Sequence, residues 1–336
     1  MVPYHRDEDP KFRHFSAFGT LEVIDTDLLL GFTLARQAPL RQLAEQLELE
    51  TMSLPSTLLK EWDPPQPFRQ MSSNNLLITA SFGHLIPNDL LNKFEPLHCL
   101  NVHPSLLPHL RGAAPIQWTI AKGLKETGVT VQELSKGKFD HGKILAQTKL
   151  QVPDFATFET LEPILAQMGS NLLIDVLRNF SKVKKDAQGQ DSKLATLAPK
   201  ITKQHARIQW KDMTREEIVR MQRGFGHQVP LWTTLRLSNS QEPVVVQLEI
   251  HDPQTHESLS IKRINSSRPG ERSGVGFIDS KSRRLIVQCG SRHDDDDNVV
   301  QVDKLKMPGS KWVKVWDWSN GVGKALLNET GFVKFE

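Results

Sequence analysis

An amide and an imidazole stand two residues apart at the end of an apolar run, and a loop follows them directly. These residues are Asn101 and His103, and Pro104 begins the loop. Side chains of a β-strand alternate between its two faces, so both groups point the same way. Polar groups at the end of a buried strand are costly unless something uses them. The pair therefore makes an enzyme the favoured interpretation.

A carboxylate, Asp140, follows a second predicted strand and completes a set of groups that could act together. Histidine suits acid–base or oxyanion work near neutral pH, and asparagine donates a neutral hydrogen bond to a developing oxyanion. A carboxylate favours the protonated imidazole through charge and hydrogen bonding. The set fits attack of an amine on a carbonyl-like carbon. Because no serine or cysteine nucleophile motif is evident, direct transfer fits better than a covalent intermediate.

Each of these residues also has an ordinary structural interpretation. A lone histidine in a strand is more often a satisfied core residue, and His103 gains its catalytic interpretation from Asn101 and Asp140. Asp140 alone could equally be a turn residue within Phe139-Asp140-His141-Gly142. No metal site is expected, since His103 and His109 are loop neighbours with no cysteine or acidic partner at ligand spacing.

Length and composition set further bounds. The 336 residues allow about two domains at ~100–200 residues each, and a net charge of +3 permits a nucleic-acid partner without arguing for one. Two distant cysteines argue against a disulfide framework. No stretch approaches the ~20 apolar residues of a membrane helix, so no membrane partner is expected. The four acids at 294–297 could bind a cation, but a solvated hairpin tip is the favoured interpretation.

Alternating strand and helix patterns in the first half predict an α/β layer with a largely parallel sheet. The predicted strands span residues 21–24, 76–81, 98–103, 129–134 and 144–152, and the predicted helices span 39–49, 90–94, 114–122 and 155–180. Ligands of such sheets bind outside the carboxyl ends of the strands. Asn101, His103 and Asp140 all follow strand ends, so we expect them to meet.

The composition changes after residue 180. Residues 181–204 are polar and basic, which predicts a linker. A short helix follows at 214–224, with Thr214 as its N-cap and two acids in its first turn. Repeated short β-type runs then predict a small β-barrel, at residues 232–237, 244–251, 276–278, 285–290 and 299–305. The predicted domains are therefore 1–180 and 205–336, joined by the linker at 181–204.

Four ordered motifs resemble the formyltransferases that use 10-formyltetrahydrofolate. They are Asn-x-His-Pro-Ser-Leu-Leu-Pro from residue 101, Arg-Gly-Ala-Ala-Pro-Ile from 111, Glu-Thr-Gly-Val-Thr from 126 and Phe-Asp-x-Gly-x-Ile-Leu from 139. Further on, Ala-Pro-Lys-Ile from 198 and Ile-Gln-Trp from 208 resemble the start of the second domain of methionyl-tRNA formyltransferases. The resemblance covers roughly residues 74–330 and is sharpest up to about 150.

The resemblance implies a Rossmann-like, mostly parallel formyltransferase domain followed by an OB-like β-barrel domain that helps to hold tRNA. It implies that Asn101 and His103 polarise the formyl group and stabilise the tetrahedral oxyanion, while Asp140 keeps His103 charged. The cosubstrate would be 10-formyltetrahydrofolate, and the acceptor would be the α-amine of methionine on initiator tRNA. The folate would contact Ser105, Leu106, Leu107, Pro108, Phe82, Gly83, Leu85, Ile86, Gly137 and Phe139.

Charge gives modest independent support for a tRNA partner. From residue 182 to residue 223, eleven basic residues stand against five acidic ones, a net charge of +6. A basic linker that enters a barrel fits a phosphate-binding track. From charge alone, a solvated linker without a ligand is an equal interpretation. The candidate phosphate-binding residues are Lys182, Lys184, Lys185, Lys203 and Arg207.

The sequence departs from the family pattern at the N-terminus, where the family's first strand and its Gly-Thr-x-x-Phe-Ala turn have no equivalent. We therefore expect an atypical or truncated N-terminus. The first ten residues carry three acids and lack an apolar core, so they match neither a secretory signal nor a transit peptide. The second-domain pattern and the Phe-Asp-x-Gly-x-Ile loop are closer to organellar members. This favours the mitochondrial matrix, and we expect a monomer.

Two other functions stay open. A different formyl-folate enzyme would use the same first domain, either to formylate an amino sugar or a ribonucleotide amine or to hydrolyse formyl-folate. A non-catalytic RNA-binding remnant would fit the missing first strand. The presence of Asn101, His103 and Asp140 argues against the remnant.

Overall fold

A computed structural model describes residues 17–19, 39–53, 64–66, 68–236, 242–252, 273–290, 298–321, 323–327 and 332–336. The chain divides into two compact units, formed by residues 1–100 with 136–138 and by residues 101–135 with 139–336. The predicted strand at 21–24, most of the atypical N-terminus and the acidic run at 294–297 lie outside the described residues.

The first unit contains short elements that lead up to the strand of the Asn101–His103 pair. They are β1 (Ala17–Gly19), α1 (Pro39–Gln46), β2 (Thr51–Ser53), β3 (Leu77–Ala80), α2 (Asn88–Leu91) and the start of β4 (Cys99–His103). β1 and β2 pair in parallel. The Leu77 N–H donates to the His98 carbonyl at 2.9 Å, and the Thr79 hydroxyl donates to the Leu100 carbonyl. Because these contacts advance in the same direction along both segments, β3 and β4 are parallel.

The second unit begins with the end of β4 and then alternates helix and strand. Its next elements are α3 (Pro115–Ala121), β5 (Glu126–Glu133), β6 (Ile144–Gln151) and α4 (Phe158–Arg178). In strand order β5 lies between β4 and β6, and the β5–β6 pair is antiparallel. A short loop rather than a crossover helix joins β5 to β6, and this connection requires the antiparallel arrangement. α4 packs closely on the sheet, because a Cβ at Gly169 would lie 3.0 Å from Val102 Cγ1.

Two helices and two 3₁₀ turns connect α4 to the C-terminal sheet. They are α5 (Phe180–Asp186), the turns Ser192–Leu194 and Lys203–Ala206, and α6 (Arg215–Phe225). α6 begins at the predicted cap. The Glu217 N–H donates to the Thr214 hydroxyl, and the Thr214 N–H donates to the Glu217 carboxylate. This capping box satisfies donors that the first helical turn leaves without partners.

The remainder of the second unit is a curled antiparallel sheet. Its elements are β7 (Leu231–Leu235), β8 (Val244–Ile250), β9 (Val275–Asp279), β10 (Arg284–Gln288), β11 (Val299–Lys306), β12 (Val313–Lys314), α7 (Val315–Asn320), α8 (Lys324–Leu327) and β13 (Val333–Lys334). The strand order is β13-β9-β10-β11-β8-β7, and β12 pairs with β11. An antiparallel bridge joins Leu235 to Phe335, and the Glu336 N–H donates to the Thr234 carbonyl at 2.8 Å. The two ends of the strand order therefore meet, as a barrel requires.

The fold class predicted from the sequence is confirmed, with a mixed, partly parallel sheet followed by the curled antiparallel sheet. The long predicted helix at 155–180 is α4, which spans Phe158–Arg178. The predicted linker at 181–204 contains all but the first residue of α5 and the first of the 3₁₀ turns, and the domain boundaries stay a prediction. Among the helices of the described ranges, none combines the length and apolar content needed to cross a bilayer.

Candidate active site

His103 ends β4 as a buried polar residue. His103 is only 5% exposed, and Cys99 and Leu100 at the other end of the strand are also buried. Asn101 is partly exposed and lies two residues earlier on the same strand. Strand alternation therefore puts the amide and the imidazole on one face, as predicted.

Each ring nitrogen of His103 faces an oxygen atom. Its Nε2 lies 3.0 Å from the carbonyl oxygen of Leu110, and its Nδ1 lies 3.5 Å from Oδ1 of Asp140. The imidazole therefore lies between a backbone carbonyl and a carboxylate.

The Asp140 carboxylate lies beside the imidazole and accepts hydrogen bonds from two other groups. Its Oδ2 accepts from the Gly112 N–H at 2.9 Å, and its Oδ1 accepts from the Gln132 amide at 2.7 Å. The side chain is 9% exposed. Asp140 has φ +58°, in the left-handed region that non-glycine residues adopt uncommonly and that aspartate tolerates better than most. A buried carboxylate needs such donors to offset its lost hydration.

The loop after β4 presents backbone groups to this pair. Leu110 has φ +57° and directs its carbonyl at His103, and Gly112 has φ +122° and directs its N–H at Asp140. A Cβ at Gly112 would lie 2.7 Å from the Ala198 carbonyl oxygen, so only glycine fits there. The Ala198 N–H donates to the Arg111 carbonyl at 2.7 Å. The segment around Ala198 therefore fixes the path of the loop.

The candidate folate residues from Ser105 to Pro108 form a turn that is hydrogen-bonded to β5 and β6. The Thr130 hydroxyl donates to the Ser105 carbonyl at 2.6 Å and accepts from the Leu107 N–H at 3.1 Å. The Gln147 amide donates to both Thr130 and the Leu107 carbonyl at 2.8 Å. Ser105 and Leu107 are buried, whereas Leu106 and Pro108 are partly exposed. Leu106 and Pro108 are therefore the more accessible side chains of this turn.

The other candidate folate residues lie in both units. In the second unit, Phe139 is 52% exposed, although the side chain of the next residue, Asp140, is only 9% exposed. In the first unit, Ile86 is buried and Leu85 is exposed, and Gly137 has φ +71°, a conformation that suits glycine. Gly83 is exposed, and the partly exposed ring of Phe82 meets that of His84 edge-on at 5.7 Å between centroids.

The candidate phosphate-binding residues fall into two groups in the second unit. Lys182 and Lys185 are exposed on α5, and Lys184 lies 5.3 Å above the ring of Phe180. The second group lies at the barrel. Lys203 and Arg207 both lie 5.5 Å from the centroid of the Trp232 ring, and the Trp232 Nε1–H donates to the Lys203 carbonyl. Two cations beside one indole form a compact basic and aromatic surface.

Sequence reasoning missed the groups that hold Asp140, namely Gln132 and the N–H of Gly112. A signal for Gln132 was present, because polar Thr130 and Gln132 alternate with apolar Val129 and Val131 along β5. All four residues are buried, so β5 has a polar face inside the protein. No such pattern marks Gly112. Within the described ranges, no cluster of three His, Cys, Asp or Glu residues could hold a metal ion.

Two family models match the chain. A formyl transferase model matches residues 66–177, and a formyl transferase C-terminal domain model matches residues 200–323. The first match contains Asn101, His103 and Asp140, and the second contains Lys203, Arg207 and most of the curled sheet.

Named relatives agree with these matches. The chain is 37% identical to the mitochondrial methionyl-tRNA formyltransferase of Homo sapiens over 195 residues, which are 58% of this chain and 47% of that protein. The chain thus spans about half the length of the human protein. It is 30% identical to the methionyl-tRNA formyltransferase of Acidobacterium capsulatum over 245 residues, which are 73% of this chain and 70% of that protein. The crystal structure of HypX from Aquifex aeolicus with tetrahydrofolic acid shares the fold, with a TM-score of 0.52 and 16% identity, covering 87% of this chain and 47% of that one.

Proposed function

This chain belongs to the methionyl-tRNA formyltransferase family, and we propose that it transfers a formyl group from 10-formyltetrahydrofolate to the α-amine of methionine on initiator tRNA. The product would serve translation initiation. The single observation that carries the proposal is the contact between His103, at the end of β4, and Asp140, in the loop between β5 and β6, whose side chains are 6% and 9% exposed. A folded protein has little reason to bury an imidazole and a carboxylate together unless they serve a site.

The proposed reaction needs an oxyanion site and a route for one proton. The amine nitrogen attacks the formyl carbon, and the carbonyl oxygen becomes the oxyanion of a tetrahedral intermediate. The Asn101 amide and the His103 imidazole would donate hydrogen bonds to that oxygen. When the intermediate collapses, the bond from the formyl carbon to the folate nitrogen breaks. The amine loses one proton and the folate nitrogen gains one, with His103 and Asp140 as the groups that move it.

The backbone around Leu110 suggests how a substrate would enter. The Nε2 of His103 is bonded to the Leu110 carbonyl, so a substrate oxygen would take the place of that carbonyl. Leu110 has a left-handed backbone, which costs a residue with a Cβ about 1–2 kcal/mol. Displacing the Leu110 carbonyl from His103 would therefore cost the loop little free energy, because Leu110 could then leave this unfavourable backbone conformation.

The folate would be held by residues that present backbone or apolar surface. Partly exposed Leu106 and Pro108, with exposed Phe139, supply apolar contact in the second unit. An exposed phenyl ring is suited to stacking on a flat aromatic ligand. We also assign to the folate site Ser105, Leu107, Phe82, Gly83, Leu85, Ile86 and Gly137.

The initiator tRNA would contact the basic residues of α5 and the surface that Lys203 and Arg207 form beside Trp232. Lys182, Lys184, Lys185, Lys203 and Arg207 would neutralise phosphates, and each such contact makes binding sensitive to salt. We further propose that the protein acts as a monomer in the mitochondrial matrix. The proposed domains are a catalytic domain at 1–180, a linker at 181–204 and a tRNA-binding domain at 205–336.

An acceptor panel tests the proposed function. The 336-residue chain is incubated with 10-formyltetrahydrofolate and one acceptor at a time: methionyl initiator tRNA, methionyl elongator tRNA, an amino-sugar nucleotide or water alone. We expect formylation of methionyl initiator tRNA at the highest kcat/KM. Preference for the sugar amine, or hydrolysis that the tRNA does not change, would replace the proposal with another formyl-folate activity. RNA binding without any transfer would indicate a non-catalytic remnant.

A further inference from the structure

We propose that Gln190 is the positioning residue for Asp140, a role that rests on the proposed function of the His103–Asp140 pair. Gln190 lies in the segment between α5 and the first 3₁₀ turn, which the sequence predicts to be a linker. Its side-chain amide does not point into solvent but reaches back to the active site.

The amide nitrogen of Gln190 has two N–H donors and lies within hydrogen-bond distance of three acceptor atoms around Asp140. It lies 3.0 Å from the Asp140 carbonyl oxygen, 2.8 Å from the Gly142 carbonyl oxygen and 3.2 Å from Oε1 of Gln132. Gln132 in turn donates to Oδ1 of Asp140, the atom that faces His103. Gln190 therefore holds the backbone of Asp140 directly and its carboxylate through one further residue.

The hydrogen bond to the Asp140 carbonyl explains how Asp140 keeps its left-handed backbone conformation. Asp140 has φ +58°, and a residue with a Cβ needs support from its surroundings to stay in that region. Gln190 binds the carbonyl groups on both sides of His141, at Asp140 and at Gly142. These two bonds fix the turn that aims the carboxylate at His103.

Arg111 fixes the Gln190 amide from the other side. Its Nε and Nη2 donate to Oε1 of Gln190 at 3.0 and 2.7 Å, and Arg111 is 6% exposed. A guanidinium can donate only to the amide oxygen, so this pair sets which end of the Gln190 amide faces Asp140. Arg111 is also next to Gly112, whose N–H binds the same carboxylate.

The backbone near Gln190 is anchored independently of its side chain. Gln188 and Ile144 exchange backbone hydrogen bonds at 2.8 and 3.0 Å, and the Arg111 N–H donates to the Thr196 carbonyl at 2.9 Å. A substitution at Gln190 should therefore remove the side-chain bonds and leave the segment in place.

The test compares three variants in steady-state formyl transfer. Gln190→Ala removes the whole amide, while Gln190→Glu keeps an oxygen for Arg111 and nearly the same volume but removes every donor. We expect both to lower kcat by about 10- to 100-fold, the scale for small misplacement of catalytic groups, with KM for both substrates within about 3-fold. Gln188→Ala is the matched control, because Gln188 is exposed and pairs through its backbone. It should behave as the wild type.

A spectroscopic measurement separates positioning from a general loss of structure. The side-chain nitrogen resonances of His103, assigned by their loss in His103→Ala, report its contact with Asp140. We expect Gln190→Glu to move these resonances in the same direction as Asp140→Asn, in a chain that still unfolds in a single cooperative transition. Wild-type His103 resonances and wild-type kcat in both Gln190 variants would overturn the proposal. If the wild-type chain transfers no formyl group, the proposed function fails, and the resonances still decide whether Gln190 positions Asp140.

Discussion

Oδ1 of Asp140 lies 3.5 Å from Nδ1 of His103, and the two side chains are 9% and 6% exposed. They come from different parts of the second unit, the end of β4 and the loop between β5 and β6. Each is held by backbone groups of the same short loop, His103 by the Leu110 carbonyl and Asp140 by the Gly112 N–H. That loop therefore sets the geometry of the pair from both sides.

Asp140→Asn should lower kcat strongly while the protein stays folded. Two donors, the Gly112 N–H and the Gln132 amide, point at the carboxylate, and an asparagine can accept with one oxygen only. The variant also removes the negative charge beside His103. We expect kcat to fall by about 10²- to 10⁴-fold, the usual scale for acid–base groups, with a smaller change in KM.

The control for this variant is Asp186→Asn, which changes an exposed aspartate on α5. It should leave kcat unchanged. Near-wild-type turnover in Asp140→Asn would show that the charge of Asp140 is not used in the reaction.

Gly142→Ala should destabilise the protein severely. A Cβ at Gly142 would lie 1.7 Å from the Glu133 carbonyl oxygen, which is backbone and cannot move aside freely. We expect a loss of at least ~2 kcal/mol in the free energy of unfolding, measured by urea denaturation. Gly189→Ala is the matched control, because a Cβ there would meet open space. Equal stability of the two variants would contradict the close approach at Gly142.

Replacing both Lys203 and Arg207 by alanine should weaken tRNA binding and reduce its salt dependence. Both cations lie beside Trp232 on one surface. Removing one cation that neutralises a phosphate makes the slope of log K against log salt shallower by about 0.7–0.9. The measurement is the tRNA dissociation constant at several salt concentrations. The same titration with Lys182, Lys184 and Lys185 replaced by alanine tests α5.

Lys125→Ala serves as the control for these basic variants. Lys125 is an exposed cation that forms an ion pair with Asp154 at 3.9 Å. We propose no contact between Lys125 and a tRNA phosphate. An unchanged salt slope in a basic variant would remove that group of residues from the tRNA path, whatever the activity.

Much of the architecture follows from local patterns that the sequence shows directly. Strand alternation places Asn101 and His103 on one face, and the Thr214–Glu217 spacing marks the start of α6. Both are determined by neighbours in the chain, because a strand's faces and a helix cap depend on spacing alone. The meeting of His103 and Asp140 was also predictable, since both follow strand ends on which ligands of α/β sheets converge.

What could not be predicted depends on contacts between distant residues. Gln190 lies in a segment whose composition is that of a linker, yet its amide binds the Asp140 backbone. The left-handed backbone of Leu110 has no local signal, because leucine rarely adopts it and the surroundings impose it. The bridge from Leu235 to Phe335 joins the two ends of the curled sheet, and only the folded arrangement of all strands brings them together.

The most direct measurement is the initial rate of formylmethionyl-tRNA formation from 10-formyltetrahydrofolate and methionyl initiator tRNA, for the wild-type chain, His103→Ala and His109→Ala. His109 is an exposed histidine on the adjacent loop, so it controls for the loss of an imidazole. We expect rapid transfer by the wild type and by His109→Ala, and a rate lower by ~10²–10⁴-fold in His103→Ala. No transfer by the folded wild-type chain, or full activity in His103→Ala, would contradict the account.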